Sequence, residues 1–285
     1  MGRALQRTLA PVAPLVMPAR ADADLANLSS LCRLIRSTKP GLIVNAAAYT
    51  AVDRAEAEPD LAWRVNADAP GAMGEEARRL GIPLLHYSTD YVFDGSKATP
   101  YVETDEPNPL SSYGRSKLGG ERAIRDSAAY GAILRTSWVF GETGANFVQT
   151  ILRLAAERET LRVVSDQIGA PTPAALIAEV SARVIVMLES EGWPAGELYH
   201  LASCRSISWH GFARTIVEKA WQHGMASRLR PEAIEPIDSK DYPTAARRPL
   251  NSRLDCGKLE TRFTLELPDW EPYLERVVSG CASTL

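Results

Sequence analysis

The sequence has few cysteines and no long hydrophobic run. Its four cysteines lie far apart and form no CxxC pair, which argues against a disulfide framework or a zinc site and for reduced thiols in a cytoplasmic protein. No apolar stretch approaches the length of a membrane span. Lysine and arginine total 32 and aspartate and glutamate 35, so the formal net charge is −3. This balance gives no general affinity for nucleic acid or acidic membranes.

The first residues resemble an export leader only loosely. Arg3 and Arg7 precede an apolar stretch, as the basic start of a leader would. Pro11, Pro14 and Pro18 interrupt that stretch. We therefore interpret the opening residues as the first helix of a folded domain.

Strand and helix patterns alternate along most of the chain. Short apolar runs predict strands at 13–18, 41–48, 82–90, 132–141 and 161–166. Longer stretches with apolar residues at helical spacing predict helices at 28–40, 60–81, 111–128 and 146–159. This order predicts an α/β fold with a Rossmann-like, doubly wound parallel sheet.

The alternation loosens after about residue 165, which indicates a change of organisation. Helix patterns at 173–190 and 208–224 flank a strand pattern at 197–203, and proline-rich segments follow. We predict a Rossmann-like NAD(P)-binding part at 1–165 and a smaller, mainly substrate-binding α/β cap at 166–285.

A tyrosine and a lysine share one face of a predicted helix. Tyr113 and Lys117 are four residues apart. A phenol with a pKa of about 10 is a weak acid–base group at neutral pH, and a neighbouring ammonium is expected to lower that pKa. Thr89 lies near the end of the strand predicted at 82–90 and offers a hydroxyl to the oxygen atom that Tyr113 would protonate. The set predicts proton delivery to a carbonyl, although the Tyr-x-x-x-Lys spacing alone, without its context, favours a solvated helix face.

Six segments together resemble one enzyme family. They are "NAAAYTAVDRAE", "HYSTDYVFDG", "ETDEPNPLSSYGRSKLGGE", "RTSWVFG", "DQIGAPT" and "ARRPLNSRL". In combination they resemble the dTDP-4-dehydrorhamnose reductases, a family of extended short-chain dehydrogenase/reductases. The resemblance extends from Gly2 to about Tyr273. The segment "STDYVFDG" separates the chain from the sugar epimerases and dehydratases of the same superfamily.

The resemblance implies a reaction for the three side chains. NADPH or NADH would reduce the C4 carbonyl of dTDP-4-dehydro-L-rhamnose and give dTDP-L-rhamnose. Tyr113 would protonate the C4 alkoxide. Lys117 would hold the nicotinamide ribose and lower the pKa of the tyrosine, and Thr89 would adjust the carbonyl.

The resemblance also implies binding residues. Those expected at the cofactor are Gly2, Asp24, Leu25, Ala48, Tyr49, Thr50, Tyr87, Tyr113 and Lys117. Those expected at the dTDP-sugar are Thr89, Asp90, Trp138 and Arg248, with Arg247 and Arg253 as weaker candidates for the diphosphate.

Structural roles fit several of these side chains too. Trp138 could be a core residue, Asp90 could cap a turn, and Arg253 could pair with a surface acid. His86 and His200 are expected in the packed core.

Two positions depart from the family pattern. The family places the cofactor pyrophosphate on a helix that follows a first strand and a GxxGxxG turn. Here "GRALQRTLAP" aligns with that helix, and Gly2 matches the last glycine. We therefore expect the reading frame to continue upstream by about ten to fifteen residues that encode the strand and the turn. Ala4 stands where some members have an acidic residue at a magnesium-bound dimer contact, so no metal is expected.

Other functions remain open from the sequence. The regulatory subunit of methionine adenosyltransferase shares this fold and binds a dinucleotide without catalysis, and a sugar epimerase or dehydratase would retain and recycle NAD. The set of Tyr113, Lys117 and Thr89 favours the reductase. The preference between NADPH and NADH is open, because Arg20 could reach a 2′-phosphate that Asp24 could repel. The oligomeric state is open as well, with a homodimer among the options.

Overall fold

The computed structural model describes residues 1–282, so the last three residues of the predicted 166–285 part lie outside it. The helices are α1 Gly2–Leu9, α2 Leu28–Thr38, α3 Arg54–Ala57, α4 Pro59–Trp63, α5 Ala69–Leu80, α6 Ser112–Asp126, α7 Phe147–Glu157, α8 Ala174–Glu191, α9 Trp209–Gln222, α10 Gly257–Phe263 and α11 Glu271–Ala282. The strands are β1 Ile43–Asn45, β2 Leu84–Thr89, β3 Gly131–Thr136, β4 Val139–Phe140, β5 Leu161–Val164, β6 Ile168–Gly169, β7 Thr172–Pro173, β8 Glu197–His200, β9 Ile207–Ser208 and β10 Ile234–Ile237.

A parallel sheet of order β1-β2-β3-β8 forms the centre, with helices on both faces. Leu84 and Ile133 pack with apolar residues of α2, α5 and α6 on one face. The next residues along the two strands, Leu85 and Leu134, pack with α1, α8 and α10 on the other. Successive side chains of a strand point to opposite faces, so both faces are buried. The predicted doubly wound α/β fold is confirmed.

The strand predicted at 13–18 is wrong. Those residues form no strand, and Leu15, Val16 and Met17 are exposed. β1 is shorter than predicted and hydrogen-bonds only to β2 within the sheet. An extended segment needs a neighbouring strand to satisfy its backbone groups, and 13–18 has none beside it.

A second apolar core lies toward the C-terminus. Residues of α7, α9 and α11 surround the parallel pair of β5 and β10. β8 and α8 follow residue 165 in sequence but belong to the central sheet and its cover. The division into parts at 1–165 and 166–285 stays a prediction. Within residues 1–282, no helix combines the length and apolar character needed to cross a membrane.

Candidate active site

The start of α6 packs directly on the turn that follows β2. Ser111 caps α6 by accepting a hydrogen bond from the Gly114 N–H at 3.1 Å. A Cβ placed on Gly114 would lie 2.2 Å from the Tyr91 carbonyl oxygen, so only a glycine permits this approach. The close contact brings Tyr113, at the first turn of α6, next to Thr89 at the end of β2.

Tyr113 is half-buried, in an environment that disfavours its ionised form. Its ring meets Tyr91 edge to face, with centroids 5.6 Å apart. Burial raises the pKa of Tyr113 to about 12, while a hydrogen bond with Thr89 opposes the shift. The pKa of Tyr113 is therefore raised, whereas the sequence pattern predicted that the lysine would lower it.

Lys117 turns toward the sheet instead of toward the phenol. It is 2% exposed, and its Nζ donates to the Tyr87 carbonyl oxygen at 2.6 Å. The same Nζ lies 3.2 Å from His86 Nε2. Burial lowers the pKa of Lys117 to about 8, against the charge of Glu121, which raises it. The side chain is one helical turn from Tyr113, within the same site, and it is engaged by the backbone of β2.

Asp90 is a buried residue whose carboxyl group lies beside the Thr89 hydroxyl. It is 2% exposed and accepts a hydrogen bond from Thr89 Oγ1 at 3.0 Å. Burial raises the pKa of Asp90 to about 6, against hydroxyl hydrogen bonds with Ser252 and Thr89 that lower it. Asp90 therefore changes charge near neutral pH, at hydrogen-bond distance from a residue that contacts Tyr113.

This buried carboxyl makes a testable contribution to stability. In the unfolded chain Asp90 ionises with a pKa near 3.8, and in the folded chain near 6. The folded state therefore binds the proton more tightly, and stability falls as the pH rises from about 4 to about 6 and stays lower above that range. Because Asp90→Asn removes this dependence, we expect the variant to gain about 2–3 kcal/mol relative to the wild type between about pH 4 and pH 7. Urea unfolding of both proteins at about pH 4 and about pH 7 measures this gain. If the free energies of unfolding of the variant and the wild type changed in parallel with pH, the expectation would be contradicted.

Asn66, which the sequence patterns did not single out, connects the loop after β1 to α6 through hydrogen bonds. Asn66 lies in a π-helical turn at Arg64–Asp68. Its Oδ1 accepts from the Tyr49 N–H at 2.8 Å, and its Nδ2 donates to the Tyr49 carbonyl and to Ser116 Oγ, both at 3.0 Å. Turns of this kind inside helices are frequent at functional sites. Only the fold reveals this link, because the two partners lie 17 and 50 residues away.

The expected cofactor residues divide into two groups. Ala48, Tyr49 and Thr50 follow the carboxyl end of β1, where parallel sheets bind ligands. The Tyr49 hydroxyl donates to Glu58 at 2.7 Å. At the start of α1, a Cβ on Gly2 would meet no atom within 4 Å, and Met1 provides no side-chain cap.

Two of the expected cofactor side chains face the core instead. The Tyr87 hydroxyl is hydrogen-bonded to Ser181 on α8 at 2.6 Å, and Leu25 packs in the apolar cluster under α2 and α5. That Tyr87 and Leu25 lie at the cofactor stays a prediction, and their side chains point into the protein. The neighbouring Asp24 is exposed and accepts a hydrogen bond from the Ala26 N–H.

Trp138 forms one half of a stacked tryptophan pair. Its ring is parallel to that of Trp209, with centroids 3.5 Å apart. The backbone of Trp138 has a φ of 46°, an uncommon conformation for a bulky residue. Gly169 lies against its edge, where a Cβ would come within 2.4 Å of the ring. Both tryptophans are half-buried, so Trp138 is neither a core residue nor a free surface ring.

The three arginines of "ARRPLNSR" have different partners. Arg248 is 23% exposed and forms an ion pair with Asp53 at 2.7 Å. Arg247 is exposed. Arg253 donates to Asn251 Oδ1 at 2.8 Å and to the Ala98 carbonyl, so it pairs with neutral oxygens and with no surface acid. Arg248 is thus the arginine held beside the loop that follows β1.

No group of three or more His, Cys, Asp or Glu residues that could hold a metal ion occurs within residues 1–282. The described site consists instead of hydroxyl, phenol, ammonium and carboxyl groups around the ends of β1 and β2. Such a set can deliver a proton to an oxygen and hold polar substituents near it.

Comparison with known proteins connects this geometry to a family. The family profile described as the RmlD substrate binding domain matches residues 1–282. A dTDP-4-dehydrorhamnose reductase of Burkholderia thailandensis is 44% identical over 273 residues, which cover 95% of this chain and 92% of that protein. The chain belongs to the dTDP-4-dehydrorhamnose reductase family. The predicted family is confirmed.

Other members of the family match over most of their length. The dTDP-4-dehydrorhamnose reductase of Escherichia coli K12 is 41% identical, with 100% of this chain and 95% of that protein covered. The crystal structure of the dTDP-4-dehydrorhamnose reductase from Bacillus anthracis in complex with NADP has a TM-score of 0.86 at 34% identity, covering 97% of this chain and 94% of that one. The family fold therefore extends over nearly the whole chain.

Proposed function

We propose that this protein reduces the C4 carbonyl of dTDP-4-dehydro-L-rhamnose to the alcohol, with NADPH or NADH as the hydride donor. The observation that carries the proposal is the half-buried Tyr113 side chain at the start of α6, hydrogen-bonded with Thr89 and one helical turn before Lys117. The names of the relatives agree with this chemistry, and the Bacillus anthracis relative was solved with NADP. A module that only bound a dinucleotide would not require these three groups together.

Several residues of this chain have separate roles in a carbonyl reduction. Bound reduced nicotinamide supplies the hydride to C4. Tyr113 gives its phenolic proton to the oxygen that becomes an alkoxide, and the hydrogen bond with Thr89 orients the phenol. The pKa of Tyr113 near 12 keeps the phenol protonated until that charge develops. Lys117, one helical turn further along α6, is the candidate to hold the nicotinamide ribose.

The proposed cofactor site fits the residues present. Ala48 and Thr50 provide small side chains at the carboxyl end of β1, where an extended ligand can approach the backbone. The open space at Gly2 and the start of α1, which has no side-chain cap, suit a pyrophosphate, because helix N-termini favour anions.

The proposed sugar-nucleotide site uses Asp90, Trp138 and Arg248. Asp90 lies beside Thr89 and supplies hydrogen bonds to sugar hydroxyls. Trp138 offers an aromatic face for the sugar. Arg248 is the candidate for the diphosphate, because a guanidinium binds phosphate oxygens in pairs. A bound diphosphate would replace Asp53 as the ion-pair partner of the Arg248 guanidinium.

A direct assay tests this function. The protein is incubated with dTDP-4-dehydro-L-rhamnose and either NADPH or NADH, and the absorbance of the reduced nicotinamide is followed while the sugar product is identified. We expect stoichiometric loss of the reduced cofactor with formation of dTDP-L-rhamnose. Conversion of the sugar without net consumption of cofactor would support an epimerase or dehydratase, and cofactor binding without any conversion would support a regulatory subunit. Either result would overturn the proposal.

A tryptophan variant tests the sugar side of the site. We expect Trp138→Ala to weaken binding of the sugar nucleotide by about 1–3 kcal/mol, because burial and stacking on an indole are lost. Affinity for the nicotinamide cofactor should change little. Isothermal titration with each ligand separates the two effects. Trp221→Ala, at the far end of α9, is the matched control. Unchanged affinity for the sugar nucleotide together with lower thermal stability would show a purely structural role for Trp138.

A further inference from the structure

Three buried polar side chains form a line from β1 to α6. Asn45, His86 and Lys117 are 4%, 0% and 2% exposed. Asn45 and His86 are direct partners in the β1–β2 pairing, and Asn45 Nδ2 lies 3.0 Å from His86 Nδ1. His86 Nε2 lies 3.2 Å from Lys117 Nζ. The imidazole thus connects an amide at the sheet edge to the lysine of the proposed active site.

The amide of Asn45 determines which ring nitrogen carries the proton. Its Oδ1 accepts a hydrogen bond from the Ala47 N–H at 3.2 Å, so its NH₂ group faces His86. His86 Nδ1 must then accept, and the neutral ring carries its hydrogen on Nε2. Full burial and the nearby Lys117 charge lower the pKa of His86 well below its usual value, which keeps the ring neutral.

This arrangement opposes the charged form of Lys117. An ammonium has only donors, so Nε2–H of His86 and N–H of Lys117 would point at each other. A neutral amine accepts from Nε2–H without conflict. The charged lysine instead requires Nε2 as the acceptor, Nδ1–H on the other side of the ring, and Asn45 rotated so that Oδ1 accepts. Rotation places the Asn45 NH₂ against the Ala47 N–H, so that two donors face each other. The hydrogen bonds of Asn45 and His86 therefore favour the neutral amine of Lys117 over the ammonium.

Other charged groups around Lys117 do not remove this dependence. Glu121, one turn further along α6, attracts the ammonium. Both of its carboxylate oxygens accept hydrogen bonds from Arg135 on β3, at 2.9 and 2.6 Å. From β2, the Tyr87 carbonyl accepts one N–H of Lys117. Of the two hydrogen bonds that Nζ makes within residues 1–282, the one with the His86 ring can reverse its donor and acceptor.

We propose that Asn45 and His86 are positioning residues of the reduction, which act by setting the protonation state and location of the Lys117 amine. This inference rests on the proposed function only for its effect on turnover. The link between the amide orientation, the imidazole tautomer and the lysine charge follows from the contacts themselves. We assign to neither residue a contact with the reacting carbonyl or a proton transfer to it.

Asn45→Asp tests the proposal by replacing a single heavy atom, the amide nitrogen, with oxygen. A carboxylate at this position accepts from Nδ1–H, which leaves Nε2 free to accept from Lys117. We expect the pKa of Lys117 to rise by about one unit or more, and the alkaline limb of the kcat profile to move upward with it. The KM for the reduced cofactor should change less than kcat at high pH. Asn27→Asp adds the same charge at the exposed cap of α2 and should move neither quantity.

A direct measurement separates this inference from the proposed function. Titration of the Lys117 ¹⁵Nζ resonance by NMR, assigned with Lys117→Arg, reports the lysine charge whether or not the protein turns over. A raised pKa in Asn45→Asp supports the inference even if no sugar is reduced, and an unchanged pKa overturns it even if reduction is rapid. If Asn45→Asp does not fold, His86→Gln replaces it, because its amide oxygen can face Lys117 and should raise the same pKa. No shift in that variant would also overturn the inference.

Discussion

Tyr113→Phe is expected to lose about 10²–10⁴-fold in kcat, because the phenolic hydroxyl is the proposed source of the proton for the alkoxide. The ring remains, so its edge-to-face contact with Tyr91 and the packing of α6 should persist. Cofactor affinity should stay near the wild-type value. Steady-state rates together with fluorescence titration of the reduced nicotinamide measure both.

The control for this variant removes a hydroxyl from a tyrosine outside the site. Tyr130 is 58% exposed and precedes β3, so Tyr130→Phe should leave kcat unchanged. A rate for Tyr113→Phe close to that of the wild type would exclude Tyr113 as the acid.

Gly114→Ala should damage both folding and catalysis without removing any chemical group. The added Cβ would lie 2.2 Å from the Tyr91 carbonyl oxygen and 3.0 Å from Pro109 Cβ. A backbone carbonyl cannot move aside by changing rotamer, so α6 must shift away from the turn after β2. Overpacking of this kind costs about 1–3 kcal/mol in stability, and a displacement of about 1 Å at Tyr113 costs about 10²-fold in rate.

Thermal unfolding and kcat, measured on the same preparation, test this expectation. Gly41→Ala is the matched control, because a Cβ there meets no atom within 4 Å. Retention of both stability and rate in Gly114→Ala would mean that α6 and the turn after β2 tolerate separation, and that their close contact does not position Tyr113.

Much of the fold follows from local patterns in the sequence. The apolar runs at 82–90 and 132–141 and the helical spacing at 111–128 correspond to β2, to β3 with β4, and to α6. A parallel sheet buried on both faces requires such runs. The apolar segment 13–18 has the same local character and forms no strand, because strand formation depends on a neighbour that local pattern cannot supply.

The same burial explains why side-chain directions along β2 were harder to predict. All six residues of β2 are buried, so the sequence shows no alternation that distinguishes the face of Tyr87 from the face of His86. Tyr87 lies on the face of the sheet that α8 covers, where its hydroxyl is hydrogen-bonded to Ser181. The spacing of Tyr113 and Lys117 correctly placed both on one helix. It could not show that Nζ turns to the Tyr87 carbonyl, since that choice depends on tertiary contacts.

The ion pair between Arg248 and Asp53 joins residues 195 positions apart in the chain. Thr89, Tyr113 and Lys117, in contrast, fall within one short stretch of sequence. During synthesis from the N-terminus, the ribosome releases the groups for proton transfer long before it adds Arg248. A nascent chain can therefore assemble β2 and α6 around the phenol while the proposed diphosphate contact does not yet exist. Translation itself orders the completion of the proposed site, and the candidate diphosphate contact comes last.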